Sequence, residues 1–524
     1  MTRTLRFLSA LLVLILLPLG AQSQMSMRWN KRFNMPGWMM FPTDVAIDAV
    51  GNVYTAAERH QGLPSKVVIT KFSPTGVFLW SHRFDLLQGA SNPRIEVTRD
   101  GKVFVSYLHV VSDTYISVAR LSTENGAVLW QKYLVGSTNA DLLVRDQDGQ
   151  PVQVVSMFYS LDTSPQRMRA EVLGENGQDV GKHVYYPPTA SWGNWEPTGG
   201  ILYGDQFAYV VGKQLNNADL SPCRLIRVGM NGVIRSVTEL SYTSQIAYSP
   251  VAGGRILTAG ASGSTSLRLQ LIHALTGQLL DSNTDFFPTS FTISVRDAEA
   301  DASGSLYVVG EDNTNGSVSN PLCVRYSFPG LTRLWSATGI AETQEVRFEH
   351  ASLDPFGTLF AVSIGSSSGA RVYGIDTATG RSMGVASSPA EPGFGSVFNT
   401  LAVNGLGMAG HSISENVNPD AQLAVQLVRP VGLLNVTLPV TELTAGASTT
   451  GTLRVYLPIA STRSINLSSN STYVQVPSSR TLTSGQATVT FPVTSTLPPS
   501  DRFVTIVADD GRSRRSIKFL LKRP

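Results

Sequence analysis

Residues 44–54 read Asp-Val-Ala-Ile-Asp-Ala-Val-Gly-Asn-Val-Tyr, and residues 71–80 read Lys-Phe-Ser-Pro-Thr-Gly-Val-Phe-Leu-Trp. Each stretch joins two short apolar runs through a turn that closes on a glycine, Gly51 in the first and Gly76 in the second. Asp at the start of a turn and Gly at its fourth position are typical of type I turns. The two stretches therefore predict two antiparallel hairpins, which together hold four strands.

Both turn glycines recur along the chain with a period of roughly 50 residues, which indicates a repeat architecture. The first series is Gly51, Gly101, Gly149, Gly204, Gly254, Gly304, Gly357 and Gly405, and the second is Gly76, Gly126, Gly177, Gly232, Gly277, Gly330 and Gly380. Units of four antiparallel strands at this period are typical of propeller blades. The eight units predict an eight-bladed β-propeller, with seven blades as the alternative if the divergent third or fifth unit is not a blade.

The two ends of the repeat region complement each other. The eighth unit has a third strand-like run at residues 422–428 but no fourth run after it. Residues 28–33, Arg-Trp-Asn-Lys-Arg-Phe, read like the fourth strand at residues 79–84. We expect this N-terminal strand to close the last blade, because closure removes open sheet edges. The propeller is therefore predicted to span residues 24–430.

Four tryptophans occupy the same place in these outer strands: Trp29, Trp80, Trp130 and Trp335. Large rings at equivalent strand positions bury much area where two blades meet. We expect a structural packing role for all four.

The first 23 residues have the pattern of a secretory signal peptide. Arg3 and Arg6 precede an uncharged apolar run from Phe7 to Leu19, and small residues lead to a cleavage site after Ser23. The alternative is an uncleaved membrane anchor, although the run is shorter than the ~20 residues that span a bilayer. We expect a secreted or cell-surface protein with no transmembrane segment after removal of the signal.

Charge and cysteine content narrow the function classes further. Without Arg3 and Arg6 the chain has 39 basic and 38 acidic side chains, and this balance excludes a nucleic-acid binder that works through a strong basic field.

Cys223 and Cys323 fall in equivalent strands two units apart, too far for a disulfide. Both are predicted to be buried thiols.

Residues 431–524 differ in composition, being rich in Thr and Ser and lacking Trp and Cys. About seven short alternating runs, with a tight-turn signal at Asp510-Gly511, predict an immunoglobulin-like β-sandwich. The basic tail is interpreted as a solvated edge strand, with an anionic surface partner as the alternative. The tail contains Arg512, Arg514, Arg515, Lys518, Lys522 and Arg523.

The repeat phrase at residues 44–54 and 71–80 resembles the propeller repeat of bacterial secreted and surface proteins. It is more loosely similar to the quinoprotein-like (PQQ-like) propellers. Residues 474–491 resemble the Ig-like modules of bacterial surface proteins. The resemblance implies a propeller that acts as an interaction scaffold and an Ig-like module that acts as a stalk or adhesion unit, while it implies the function only weakly.

No catalytic or metal motif accompanies this fold. The seven histidines have no zinc-type spacing, and the adjacent cysteine pair of a pyrroloquinoline-quinone dehydrogenase does not occur. We therefore expect a non-catalytic monomer without a cofactor. The alternative is an extracellular enzyme on the same propeller, either a glycan hydrolase or lyase or a divergent quinoprotein dehydrogenase.

Aromatic residues in the connections between units are the candidate ligand contacts. They are Trp38, which precedes unit one, and Tyr186, Trp192 and Trp195, which precede unit four. Exposed aromatic loops on a rigid scaffold bind sugars or peptides, so an extracellular glycan or protein is the expected ligand. The alternative is a cap that packs over the blade edges.

Overall fold

The structure is a computed structural model of the 524-residue chain. It describes residues 25–33, 39–60, 65–84, 89–110, 114–136, 138–146, 150–160, 167–185, 194–214, 223–240, 245–261, 265–287, 292–313, 319–337, 340, 346–365, 370–387, 399–404, 407–417, 420–430, 432–456 and 462–524.

Apart from a 3-10 turn at Val251–Gly253, every regular element in these ranges is a β-strand. Strands β1 to β16 are Ser26–Phe33, Met39–Ile47, Val53–His60, Lys66–Phe72, Phe78–Phe84, Ala90–Val97, Val103–Val110, Thr114–Leu121, Val128–Val135, Thr138–Arg145, Gln153–Ser160, Arg167–Gly174, Asp179–Tyr185, Asn194–Tyr203, Gln206–Gln214 and Cys223–Gly229. Strands β17 to β32 are Ile234–Leu240, Gln245–Ser249, Arg255–Ala261, Ser266–His273, Leu279–Phe286, Thr292–Ala300, Leu306–Asn313, Ser319–Tyr326, Arg333–Ser336, Val346–Leu353, Thr358–Gly365, Arg371–Asp376, Ser382–Ser387, Asn399–Val403, Ala409–Val417 and Asp420–Arg429.

These strands form eight four-stranded antiparallel sheets within the described residues. Sheets 1 to 7 take four consecutive strands each, from β2-β3-β4-β5 to β26-β27-β28-β29, and sheet 8 has the order β30-β31-β32-β1. The first strand of each sheet contacts the first strand of the next, and β30 of sheet 8 contacts β2 of sheet 1. First strands therefore surround a common axis, and the predicted all-β propeller fold is confirmed.

The position of a strand within its sheet decides its burial. Second and third strands such as β3 and β4 are buried along nearly their whole length, because neighbouring sheets cover both of their faces. The fourth strand β5 is the outer edge, and its Phe78 and Leu79 are exposed. Short continuous apolar runs are thus the buried middle strands of this fold.

The N-terminal strand completes sheet 8. Strand β1 pairs antiparallel with β32, from Ser26 opposite Arg429 to Phe33 opposite Leu423. The backbone N–H of Met25 also donates to the carbonyl of Val385 in sheet 7. One segment at the start of the chain therefore joins the two last sheets.

Each of the four outer-strand tryptophans lies on a glycine turn of the following sheet. The Trp29 indole N–H donates to the Pro74 carbonyl at 3.0 Å, and the same bond runs from Trp80 to Thr123, from Trp130 to Glu175 and from Trp335 to Thr377. A Cβ on Gly76 would lie 2.7 Å from the Trp29 ring, and this turn has a φ of +80°. Glycine is thus required here both by the backbone conformation and by the indole above it.

The two cysteines lie in third strands of different sheets. Cys223 begins β16 in sheet 4 and Cys323 lies in β24 in sheet 6, and no disulfide joins them. Both are buried, and burial raises the pKa of the Cys323 thiol. A high pKa keeps a thiol protonated and unreactive.

The C-terminal segment forms two further sheets with a core of their own. Strands β33 to β41 are Leu433–Thr437, Glu442–Thr444, Ser448–Val455, Arg463–Ser469, Val474–Gln475, Ser479–Leu482, Thr488–Ser495, Arg502–Asp509 and Arg514–Lys522. The sheet orders are β33-β35-β39-β37 and β34-β41-β40-β36-β38. Leu453, Phe491 and Phe519 belong to the apolar cluster that these strands enclose. We call this part the C-terminal sandwich.

The basic tail is a solvated edge strand only in part: Arg514, Lys518 and Arg523 are exposed, but Arg515 is buried. Strand β41 pairs with β40 on one side, and its end pairs with β34 on the other. Arg515 is buried and forms an ion pair with Asp376 of sheet 7 at 2.6 Å. The expectation was wrong for Arg515, because sequence composition does not show that the Asp376 carboxylate of the propeller pairs with it.

Among the described residues, no helix is long and apolar enough to cross a membrane.

The contact between Trp29 and Gly76 can be tested with a matched pair of glycine variants. Gly76 and Gly330 both lie between a third and a fourth strand and have positive φ, but a Cβ on Gly330 would meet nothing within 4 Å. We expect Gly330→Ala to cost about 1 kcal/mol for the backbone conformation alone. Gly76→Ala should cost about 1–3 kcal/mol more, because the methyl displaces the indole. Equal costs in urea-induced unfolding would mean that Trp29 does not press on this turn.

Candidate functional site

The first strands around the axis carry a repeated aspartate contact. Asp44 in β2 follows a bulge in the strand, and its Oδ2 accepts the backbone N–H of Ile95 in sheet 2 at 2.9 Å. Asp141 accepts from Gly200 in sheet 4 in the same way, at 3.0 Å. Asp297 accepts from Ala351 in sheet 7, at 2.9 Å. A carboxylate that accepts backbone N–H groups makes a strong, charge-assisted bond, so these aspartates join neighbouring sheets at the axis.

Two glutamates on the same strands have no such role. Glu96 in β6 of sheet 2 follows Arg94 by two residues, and Glu299 in β22 of sheet 6 follows Asp297 by two residues. The two glutamates therefore hold equivalent positions in sheets that lie four apart in the ring. Burial and the nearby charge of Asp297 raise the pKa of Glu299 to about 8. Burial, with the charges of Asp44 and Asp141, raises the pKa of Glu96 well above its usual range. Both side chains are half-buried, and both belong to first strands around the axis.

A mixed-charge network crosses from sheet 6 to sheet 7 beside them. Arg296 lies 3.0 Å from Glu311 of its own sheet and 4.0 Å from Glu349 of the next. The His350 Nδ1 lies 3.8 Å from the Asp297 carboxylate. Burial lowers the pKa of His350, but the bond to Asp297 and its charge outweigh this effect and raise the pKa overall.

With a pKa of about 8, Glu299 keeps its proton near neutral pH, which is the property of a general acid. Within the described residues, no group of three or more His, Cys, Asp and Glu side chains could hold a metal ion. Asp44, Asp141 and Asp297 are already engaged with backbone donors. In the described residues Glu96 and Glu299 do not bond to the next sheet, although Glu96 accepts the backbone N–H of Val97 in its own strand. They are the axial carboxyls that we consider for chemistry or for binding.

The antiparallel strands give the propeller two distinct faces. The connections between strands one and two and between strands three and four, such as residues 48–52 and 73–77, lie on one face, which we call the turn face. The connections between strands two and three and from each sheet to the next lie on the other, which we call the loop face.

The sequence predicts that the candidate ligand residues lie in connections between units. Trp38, Tyr186 and Trp192 lie outside the described residues. Trp195 lies in β14 with its backbone opposite Lys213, and its side chain lies outside the described set. Their grouping as a ligand platform remains a prediction.

The C-terminal sandwich is attached to the turn face at sheet 7. In sheets 1 and 6 a tyrosine hydroxyl donates to the turn aspartate of its own sheet, Tyr54 to Asp48 at 3.1 Å and Tyr307 to Asp301 at 2.8 Å. Sheet 7 has Phe360 at this position, six residues after the turn aspartate Asp354. The hydroxyl comes instead from Tyr456 of the sandwich, which donates to Asp354.

A cation is supplied to sheet 7 in the same manner. Lys71 lies over the Tyr54 ring in sheet 1, and Arg325 lies over the Tyr307 ring in sheet 6. The equivalent residue of sheet 7 is Gly374, opposite Phe360. Arg515 of the sandwich binds Asp376 and donates to the Thr358 hydroxyl at 3.2 Å. The sandwich thus provides sheet 7 with the polar groups that its own sequence lacks.

The axial residues were not identified from the sequence, although a signal existed. Asp44 and Asp297 each precede their turn aspartate by four residues, and His350 precedes Asp354 by the same interval. A polar residue at a fixed place before the turn, inside an otherwise apolar strand, marks the bulge of the first strand. Arg515 and Tyr456 gave no comparable signal, because their partners lie in another part of the chain.

No family model matches the sequence, and no curated protein matches it. Among solved structures, the acylaminoacyl peptidase of Pyrococcus horikoshii is similar at 13% identity and a TM-score of 0.39, covering 72% of this chain and 58% of that one. BamB from Moraxella catarrhalis is similar at 15% identity and a TM-score of 0.35, covering 64% and 96%. The β-propeller domain of the Trilobed protease from Pyrococcus furiosus is similar at 10% identity and a TM-score of 0.38, covering 64% and 95%. The chain spans less than two thirds of the peptidase's length.

The raised pKa of Glu299 predicts a pH-dependent stability cost. Between the usual value of 4.5 and about 8, the folded protein keeps a proton that the unfolded chain releases, so stability falls as pH rises through this window. The melting temperature of Glu299→Gln should therefore exceed that of the wild type by a margin that grows as pH rises from 5 to about 8. Glu124→Gln, at an exposed turn position, is the control. Melting curves that stay parallel across pH for Glu299→Gln would contradict the axial burial of this carboxyl.

Proposed function

We propose that this chain is an exported, non-catalytic binding protein. An eight-bladed propeller of residues 24–430, closed by its N-terminal strand, presents its loop face to an extracellular glycan or protein. An Ig-like sandwich of residues 431–524 serves as a stalk or adhesion unit. The signal pattern of residues 1–23 supports export to the cell surface or beyond.

The attachment of the C-terminal sandwich is the observation that carries this proposal. Tyr456 and Arg515 bind the turn face at sheet 7. The stalk and the loop face therefore lie on opposite sides of the propeller, so the long connections point away from the stalk. Binding residues are commonly carried by loops on a rigid scaffold, and this arrangement suits such a use.

The blade count is supported by the contacts between first strands. Each of the eight sheets contacts its two neighbours, and the circuit returns from β30 to β2. The division of residues 433–522 into two sheets around one core supports the Ig-like assignment.

An extracellular enzyme on the same propeller is the second candidate, and one observation favours it. Glu96 and Glu299 combine raised pKa values with positions on first strands around the axis. Perturbed carboxyls in a cleft are typical of general acids, although structural burial produces the same shift. A glycan hydrolase or lyase would use such a group.

A binding screen with three matched variants separates these candidates. The wild-type chain of residues 24–524 is screened on glycan and peptide arrays, and the best ligand is titrated. We expect Trp192→Ala with Trp195→Ala to weaken binding at least tenfold while the melting temperature stays unchanged. Leu129→Ala with Leu334→Ala, which removes exposed apolar side chains of outer strands, should leave binding intact.

The same ligand is incubated with the protein and examined for cleavage. Unaltered ligand is the expected result. Cleavage by the wild type that disappears in Glu96→Gln with Glu299→Gln would establish the enzyme instead. A large drop in melting temperature in the double tryptophan variant, with binding unchanged, would show that these residues form a cap.

A further inference from the structure

A cleft lies where the C-terminal sandwich meets sheet 7, on the side opposite the loop face. Its volume is about 360 Å³. We call it the junction cleft, and its lining residues are Arg381, Asn466, Leu467, Ser468, Val507, Asp509, Gly511 and Arg514. Arg381 of this set comes from the propeller, and the other seven residues belong to the sandwich.

The walls of the junction cleft are held by bonds across the joint. The backbone N–H of Arg514 donates to Asp376 Oδ2 at 2.9 Å, and Arg515 forms its buried ion pair with the same carboxylate. The Arg381 guanidinium donates to the Gly511 carbonyl at 3.4 Å. Both arginines thereby line one cavity: the Arg381 guanidinium is bonded to Gly511, and Arg514 is fixed through its backbone.

The charge of the junction cleft is positive. Arg381 and Arg514 are exposed, and the Arg514 guanidinium has no carboxylate partner in the described part of the chain. The one acidic lining residue, Asp509, accepts the N–H of Gly511 at 2.7 Å. Arg463 and Asp510 nearby neutralise each other in an ion pair. The cleft therefore carries two guanidinium groups against one carboxylate, and this net positive charge attracts an anion.

A second cavity continues from the first along strand β36. It has a volume of about 610 Å³, shares Leu467 and Ser468 with the junction cleft, and is lined mainly by hydroxyl and amide side chains. These are Ser468, Ser469, Asn470, Ser471, Thr472, Gln475 and Ser478. Such groups donate to and accept from sugar hydroxyls.

We propose that the junction cleft and its continuation bind an acidic polysaccharide. Arg381 and Arg514 take a carboxylate or sulfate group, because guanidinium groups bind planar or branched oxyanions through paired hydrogen bonds. The hydroxyl and amide lining of the second cavity takes the adjoining sugar rings. An acidic peptide is the competing ligand, because Leu467, Val474 and Val476 also line the second cavity, and poly-glutamate tests it directly. The site is separate from the loop face and does not rest on the function proposed above.

Titration calorimetry of the 24–524 chain with oligogalacturonate and with a sulfated dextran tests this site. Neutral dextran and poly-glutamate are the comparison probes. We expect Arg381→Gln with Arg514→Gln to weaken binding of the acidic glycan at least tenfold. The control is Arg454→Gln with Lys518→Gln, which removes the same charge from exposed positions outside the cleft and should change affinity less than twofold.

Preference for oligogalacturonate would assign carboxylate recognition, and preference for the sulfated chain would assign sulfate recognition; both support the site. Equal losses in the two double variants would overturn it, because binding would then follow overall charge. Tighter binding of poly-glutamate would replace the glycan with an acidic peptide. Binding of neither acidic glycan at 50 mM salt, where screening is weak, would also overturn the proposal.

Discussion

The pairing of β1 with β32 is the interaction on which the rest of the propeller depends. This strand of eight residues supplies the outer edge of sheet 8, while Met25 beside it binds Val385 of sheet 7 and Trp29 within it binds the Pro74 turn of sheet 1. Three sheets are therefore held by one segment. Without this segment, β32 of sheet 8 would have an unpaired edge. The contact between sheet 8 and sheet 1 through the Trp29 indole would also be lost.

Hydrogen bonds join neighbouring sheets both near the propeller axis and near its outer rim. Asp44, Asp141 and Asp297 bind backbone N–H groups of the next sheet beside the axis, and the tryptophans bind glycine turns near the rim. Sheet 7 lacks its own tyrosine and cation and receives Tyr456 and Arg515 from the C-terminal sandwich. The sandwich thus completes the hydrogen bonds and the ion pair of sheet 7 on the turn face. The loop face lies on the other side of the propeller, away from the sandwich.

The sequence allowed much of the fold to be predicted, because the turn chemistry repeats locally. The positions of Gly76 and Trp80 alone predict a four-stranded unit and the contact surface of its outer strand. The axial groups were harder, since Glu96 and Glu299 acquire their raised pKa only when several first strands surround them. The joint at Asp354 could not be predicted, because its partner Tyr456 is about 100 residues away and belongs to no repeat. Long-range pairs of this kind have no local sequence signal.

Removal of the N-terminal strand tests the central claim most directly. A chain that begins at residue 34 should melt at a clearly lower temperature than one that begins at residue 24, because the buried areas of Met25 and Trp29 and the β1–β32 ladder are lost. Addition of a synthetic peptide of residues 25–33 should restore part of that loss by re-forming the strand, whereas a peptide with Trp29→Ala should restore less. Identical melting temperatures for the two chains, with no effect of the peptide, would contradict closure of the propeller by its first strand.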